Sequence, residues 1–267
     1  MARTIPPSLA HVVEQLELDG AQIVTAADLA RLIGPATPDE TARHVAYELQ
    51  RAGWLGRVRT RNAWEFLPGA RGGPIGSEDR FVEFRARQAT DPGWRGVVAM
   101  ESAATLHGLA QRLPTQEVVA LPKGESLPKA FAGDWRSVRV DLGPQATTSM
   151  NGMPTWTIDA LMVGVAARPS GYRDVAGLGQ WLELGAHRAD VDDVVVLLQS
   201  QSASTRQRAA YLFAATLLNE KADEVLQAYP PRQPVWFGPR TAGGHYDGNC
   251  MVNDTLLRDY LSIGVGA

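Results

Sequence analysis

The stretch Pro68-Gly69-Ala70-Arg71-Gly72-Gly73-Pro74-Ile75-Gly76 constrains this chain more than any other feature. Proline removes a backbone donor and fixes φ, and clustered glycines offer no side chain to bury, so no helix or strand runs through such a segment. The portions of chain on its two sides must each bury an apolar core. With 267 residues in all, the chain has room for two. The reading is α+β: an N-terminal winged helix-turn-helix domain over 1–70, a linker and connecting helix over 71–90, and a larger mixed α/β domain over 91–267.

The first segment carries its own punctuation. Residues 8–18 read as a helix, with Leu9, Val12, Val13 and Leu16 on one face. A very short strand is expected at 22–24. Thr25 is then an N-cap for a helix over 26–33, stopped by Gly34 and Pro35. Thr37 caps a third helix, with Pro38 at its first position and Glu40 completing a capping box; it runs to Arg51 and turns Ala42, Val45, Ala46 and Leu49 inward. Residues 54–59 and 62–67 read as two strands joined by a turn, with Trp54, Trp64 and Phe66 in the core. Three helices followed by a hairpin is the order of a winged helix.

Beyond the linker, a helix is expected over 77–88. A lead-in at 97–100 enters a small-residue helix over 101–109; strands are expected at 117–121, 137–140 and 155–158, and helices at 159–167, 175–184, 190–199 and 204–218. A strand at 234–237, a glycine-rich loop and a last helix over 253–261 complete the reading.

Several function classes are disfavoured. Cys250 is the only cysteine, so neither an internal disulfide nor a cysteine-rich zinc site forms, as suits a reducing compartment. The first residues lack the apolar core of a signal peptide, and the run 191–198, broken by Asp192 and Asp193, falls short of a membrane span. Gly243-Gly244-His245-Tyr246-Asp247-Gly248 lacks the Lys-Ser/Thr of a P-loop and reads as a flexible loop. Asp141, Asp159 and Asp174 follow no ligand spacing and read as caps or strand ends. His107 reads as a capping or locally bonded group, with a functional base as the alternative. No catalytic residue, metal ligand or cofactor is expected.

The net charge is −3, but its distribution is polar: Arg43, Arg51, Arg57, Arg59 and Arg61 crowd one early stretch, while Asp190, Asp192 and Asp193 cluster far from it. Thr41, Arg43, His44 and Tyr47 face away from Val45 and Leu49, as a recognition helix in a major groove requires. Arg57, Arg59, Arg61 and Asn62 lie on the hairpin, where a wing reaches the minor groove or backbone phosphates. The competing readings are a solvated helix face and a charged edge that blocks strand pairing.

In order along the chain, the winged-helix start, Glu101-Ser102-Ala103-Ala104-Thr105-Leu106-His107-Gly108-Leu109, the strand at 117–121, Thr155-Trp156-Thr157-Ile158-Asp159-Ala160-Leu161 with Arg168-Pro169, and Ser204-Thr205-Arg206-Gln207-Arg208-Ala209-Ala210-Tyr211-Leu212 resemble the AbiEi-type antitoxins of bacterial toxin–antitoxin and phage-defence operons, with a tail closest to mycobacterial members. Thr105 stands where the family has an aromatic residue. The resemblance implies a cytoplasmic antitoxin, not an enzyme. It would repress its own operon by binding double-stranded DNA at inverted repeats and counter a nucleotidyltransferase-like toxin. Two other classes stay open on the residues alone: a nucleic-acid-processing enzyme with a winged-helix targeting domain, and a protein-interaction module without DNA binding.

Overall fold

The computed structural model describes residues 5, 7–34, 38–69, 77–241 and 243–261. Thr37, Pro35 and most of the linker lie outside them. The chain divides into two compact units: Met1–Trp94 with Pro128–Ala132, and Arg95–Leu127 with Gly133–Ala267.

In the first unit a short 3-10 turn, Pro7–Leu9, leads into α1 (Ala10–Leu18). β1 (Ile23–Thr25), α2 (Ala26–Ile33), α3 (Asp39–Arg51), β2 (Leu55–Arg57), β3 (Ala63–Phe66) and α4 (Val82–Thr90) come next. The three strands form an antiparallel sheet in the order β1-β3-β2, with Val24 opposite Trp64 and Leu55 opposite Phe66. Leu9, Val12, Val13, Leu16, Leu29, Ala42, Val45, Ala46, Leu49, Trp54 and Phe66 pack into one buried cluster, with Trp64 half-buried beside it. Each large aliphatic side chain so buried contributes about 1.5–3 kcal/mol before entropy is counted.

Thr25 caps α2 as its sequence position predicts. Its Oγ1 accepts from Asp28 N–H at 3.1 Å, and Asp28 accepts from Thr25 N–H at 2.9 Å. Burial raises the Asp28 pKa, but the hydrogen bonds from Thr25 and the Arg31 guanidinium outweigh it, so the carboxyl titrates below its ordinary range. α3 begins one residue later than expected: Pro38 is extended and flanks the helix instead of opening it, and among the described residues no side chain caps the end. The connecting helix is also shorter. Residues 77–81 form a turn in which Ser77 Oγ accepts from Asp79 N–H at 3.1 Å and Asp79 accepts from Phe81 N–H at 2.9 Å, local bonds that compete with helix. α4 packs on β1 and β3, and Phe84 contacts Trp94 and Phe131 with ring centroids 5.0 and 6.4 Å away.

The second unit is mixed α/β. Its main sheet has five strands in the order β6-β5-β4-β8-β7. These are β4 (Val97–Val98), β5 (Glu117–Ala120), β6 (Trp135–Val138), β7 (Thr147–Met150) and β8 (Met153–Trp156), with α5 (Met100–Leu106) after β4. Parallel β4–β8 and β5–β6 pairs alternate with antiparallel β4–β5 and β7–β8 pairs. Helices α6 (Ile158–Ala167), α7 (Val175–Arg188), α8 (Val191–Leu198), α9 (Ala203–Ala214) and α10 (Asn219–Ala228) build the rest of the core. α6 is buried from Ala160 to Ala166 without a polar stripe. It closes on β8 through Gly164, where a Cβ would meet the Trp156 ring at 2.3 Å.

The expected helix over 101–109 ends at Leu106, with Gly108 at a φ of 68°, and the segment is a structural motif. Glu101 accepts from Arg173 N–H at 2.5 Å and pairs with the Arg136 guanidinium, while Ser102 Oγ donates to Glu117 at 2.5 Å and accepts from Val118 N–H at 2.7 Å. His107 occupies the C-cap, and its ring Nε2 bonds the Trp156 carbonyl at 2.7 Å, a long-range contact in place of the expected local one.

Two expectations near the C-terminus fail. Residues 253–261 are not a helix: β11 (Val252–Asp254) pairs in parallel with β9 (Val235–Phe237), and only Arg258–Tyr260 make a 3-10 turn. The buried Asp254 carboxylate accepts from Leu256 and Leu257 N–H at 2.8 Å each and from Tyr211 Oη at 2.7 Å. That bonding closes a local turn after the strand, and only the 3-10 turn follows it. The glycine-rich segment is likewise not all loop, since β10 (His245–Asp247) pairs with β11.

Candidate nucleic-acid interface

α3 separates an apolar face from a polar one. Ala42, Val45, Ala46 and Leu49 are buried, and Thr41, Arg43, His44, Tyr47 and Arg51 are exposed. At 100° per residue Arg43, Tyr47, Arg51 and His44 fall on the side opposite the core, with Thr41 at its edge. The structure therefore brings three of the four expected helix residues together on one free face. Tyr47 is 57 % exposed, a large ring left mostly to solvent. The Arg51 guanidinium stands 5.9 Å from its centroid. His44 Nε2 lies 3.3 Å from Glu48 Oε1, one turn along. Arg43 has no ion pair or side-chain hydrogen bond among the described residues.

The hairpin after α3 is stapled, by a residue that sequence reasoning does not single out. Glu83 of α4, buried, accepts from Arg59 N–H at 2.5 Å through one oxygen. Its other oxygen accepts from Thr60 N–H at 3.0 Å and Thr60 Oγ1 at 2.8 Å. One carboxylate so holds the turn between β2 and β3 in a single shape. The only signal is an acid flanked by Val82 and Phe84, but acids in helices are usually solvated, and its partners lie over twenty residues away.

Arg57 and Arg61 are exposed and unpaired among the described residues. Arg59 differs: its side chain is half exposed, lies 3.6 Å from Glu83 and donates to the Ala132 carbonyl at 3.0 Å. It is part of what fixes the hairpin. Asn62 has φ of 59°, a left-handed conformation that asparagine adopts more readily than most residues. Its carbonyl accepts from Ala26 N–H at 3.0 Å, tying the hairpin to the start of α2. Its presence is accounted for by that backbone geometry, whatever its side chain touches.

Elsewhere the candidates carry less chemistry. Among the described residues no group of three or more His, Cys, Asp or Glu side chains is arranged to hold a metal, and no helix is long and apolar enough to cross a membrane. Asp174 caps α7 by accepting from Gly177 N–H at 3.0 Å, and Asp159 accepts from Asp190 N–H at 2.8 Å. Cys250 is buried; burial first, then the Asp247 charge, pushes its thiol up, the reverse of what a nucleophile needs.

Against this geometry, residues 96–215 match the family model of the AbiEi antitoxin C-terminal domain. No curated protein matches the chain. Among solved structures, the crystal structure of the RV2827C protein from Mycobacterium tuberculosis is similar, with a TM-score of 0.77 at 23% identity over 96% of this chain and 94% of that one. The likeness is one of fold.

Proposed function

We propose that the protein, whose residues 96–215 match the family model of the AbiEi antitoxin C-terminal domain, is a DNA-binding autorepressor and antitoxin whose first unit is a winged helix. The matched segment supports the antitoxin role. The DNA-binding half rests on one observation: a helix with a free face of Arg43, Tyr47, Arg51 and His44 is followed by a pinned hairpin bearing Arg57 and Arg61.

A major groove accepts an α-helix, and arginine donates two parallel hydrogen bonds to guanine O6 and N7. In this reading α3 enters the groove. Arg43 reads a base or clamps a phosphate, Thr41 and His44 contact the flanking backbone, and Tyr47 packs on sugar or base. Arg57 and Arg61 project from the hairpin to phosphates or into the minor groove. Arg59 and Asn62 act mainly by holding the hairpin. The sheet order β1-β3-β2, with α3 leading directly into the hairpin, supports the winged-helix assignment. A net charge of −3 does not oppose it, because phosphates respond to the local face. The toxin countered is of the nucleotidyltransferase-like class that the family implies, and the compartment is the cytoplasm.

Two assays test the reading. The chain is expected to shift a duplex containing inverted repeats from upstream of its own gene, and co-expression is expected to restore growth to cells making the adjacent toxin. No shift on any upstream duplex removes the repressor half; no rescue removes the antitoxin half.

A further inference from the structure

A second cationic site lies in the other unit, in a pocket of about 380 Å³ lined by Val138, Arg139, Arg168, Ser170, Gly171 and Arg208 among others. Arg168 follows the last residue of α6, Arg208 comes from the middle of α9, and Arg139 follows β6. Three separate elements thus contribute arginines to the lining of one concavity. A fourth, Arg240, acts electrostatically on Arg208 and stands 5.0 Å from the Trp236 ring.

No acid answers these charges. None of the four arginines forms an ion pair among the described residues, and no carboxylate lines the pocket. A neighbouring pocket holds one arginine in the ordinary arrangement: the Arg136 guanidinium pairs with Glu101, while Arg173 gives that acid only its backbone N–H and turns its guanidinium to Gln116. Arg208 is half-buried and fixed in place. Its Nε donates to the Trp236 carbonyl at 2.6 Å and Nη1 reaches the Ala166 carbonyl at 3.4 Å, while Nη2 has no protein acceptor among the described residues. Burial, then Arg240, then Arg168, lower its pKa, and nothing raises it. Arginine nevertheless stays protonated in proteins, so the repulsion persists until an anion relieves it.

We infer that this pocket binds a ligand carrying at least two phosphoryl charges, gripped by Arg208 from its floor and by Arg139 and Arg168 from its rim. Planar guanidiniums match phosphate oxygens in pairs, and the volume suits a polyphosphate or a short phosphodiester segment. Free polyphosphates and nucleic-acid phosphates share that chemistry.

The test uses the full-length protein. Inorganic pyrophosphate is titrated calorimetrically into wild type, Arg139→Gln, Arg168→Gln and Arg95→Gln, which removes an exposed arginine paired with Glu125 outside the pocket. Saturable binding is expected in wild type. Each rim variant should weaken it about tenfold, the scale of one charge-assisted hydrogen bond, and the Arg95 variant should leave it unchanged. The rim arginines are exposed, and a melting curve verifies that their variants fold. A nucleoside triphosphate and a twelve-nucleotide single-stranded RNA then compete against pyrophosphate. Displacement by the triphosphate alone assigns a free ligand; displacement by the RNA assigns a polynucleotide. Absence of saturable pyrophosphate binding, or rim variants that bind like wild type, overturns the site. Either failure leaves the DNA reading of the first unit intact, because operator binding tests that separately.

Discussion

Replacing Glu83 by glutamine should loosen the hairpin without removing a single positive charge. In the native side chain one oxygen serves Arg59 N–H and the other serves both donors of Thr60. Glutamine keeps the size but retains only one acceptor oxygen, so at least one bond to a charged acceptor is lost, worth about 1.5–3 kcal/mol. The new amide N–H also faces a backbone or hydroxyl donor. A net loss of about 2–3 kcal/mol lowers the melting temperature of a unit this size by roughly 10–20 °C. Hydrogen exchange read by NMR localises the effect: the amides of Arg59 and Thr60 should exchange faster relative to those of Val24 and Phe66 in the sheet. Operator affinity should fall while its salt dependence stays as in wild type, since no phosphate-neutralising cation has gone. If both amides keep their protection and the melt shows a loss of less than about 0.5 kcal/mol, the carboxylate is not what holds the hairpin.

Three further outcomes come from the packing. Gly164→Ala should destabilise the second unit by about 1–3 kcal/mol in a denaturant titration, because the Trp156 ring must yield; a neutral or stabilising result, as helix propensity alone predicts, would show that the α6–β8 approach is looser. Tyr211→Phe should cost about 1–3 kcal/mol by stripping a hydroxyl from the buried Asp254 carboxylate, and unchanged stability would mean that water takes its place. Asp28 has a lowered folded-state pKa, so its contribution is present above the ordinary value of 3.8 and is lost as pH falls through the folded value. Asp28→Asn should therefore be less stable than wild type near neutral pH, with the gap closing in acid; a gap independent of pH contradicts that assignment.

The features legible in the sequence are local ones. Thr25 can be named as a cap because its partner Asp28 is three residues away, and α3 shows its two faces because four apolar residues recur at helical spacing. The motif over 101–109 is recognisable as a run of small residues, of which Ser102, Ala103 and Ala104 are fully buried, although the partners of its Glu and Ser lie far along the chain. Long-range pairing is not legible. β6 lies at 135–138 and not 137–140, because its register is set by β5, with Trp135 opposite Glu117. β7 carries two exposed polar residues and no apolar run, and α10 escapes the sequence reading although Ala222 and Val225 are buried. The segment 253–261 looks helical by composition, yet Asp254 finds Tyr211 some forty residues away. At the candidate interface the exposed arginines can be counted in advance, but the separation of Arg59 from Arg57 and Arg61 depends on Glu83 and Ala132.

The central claim is that Arg43, Arg57 and Arg61 meet duplex phosphates or base edges. Operator affinity measured from about 50 to 200 mM salt, for wild type and for the three single glutamine variants, addresses it most directly. Each arginine that neutralises a phosphate should flatten the log–log slope by about 0.9 when replaced. An arginine that reads a base should instead lower affinity by about 1–3 kcal/mol for the operator and little for unrelated duplex. Three variants with wild-type slope and wild-type operator preference would contradict the account.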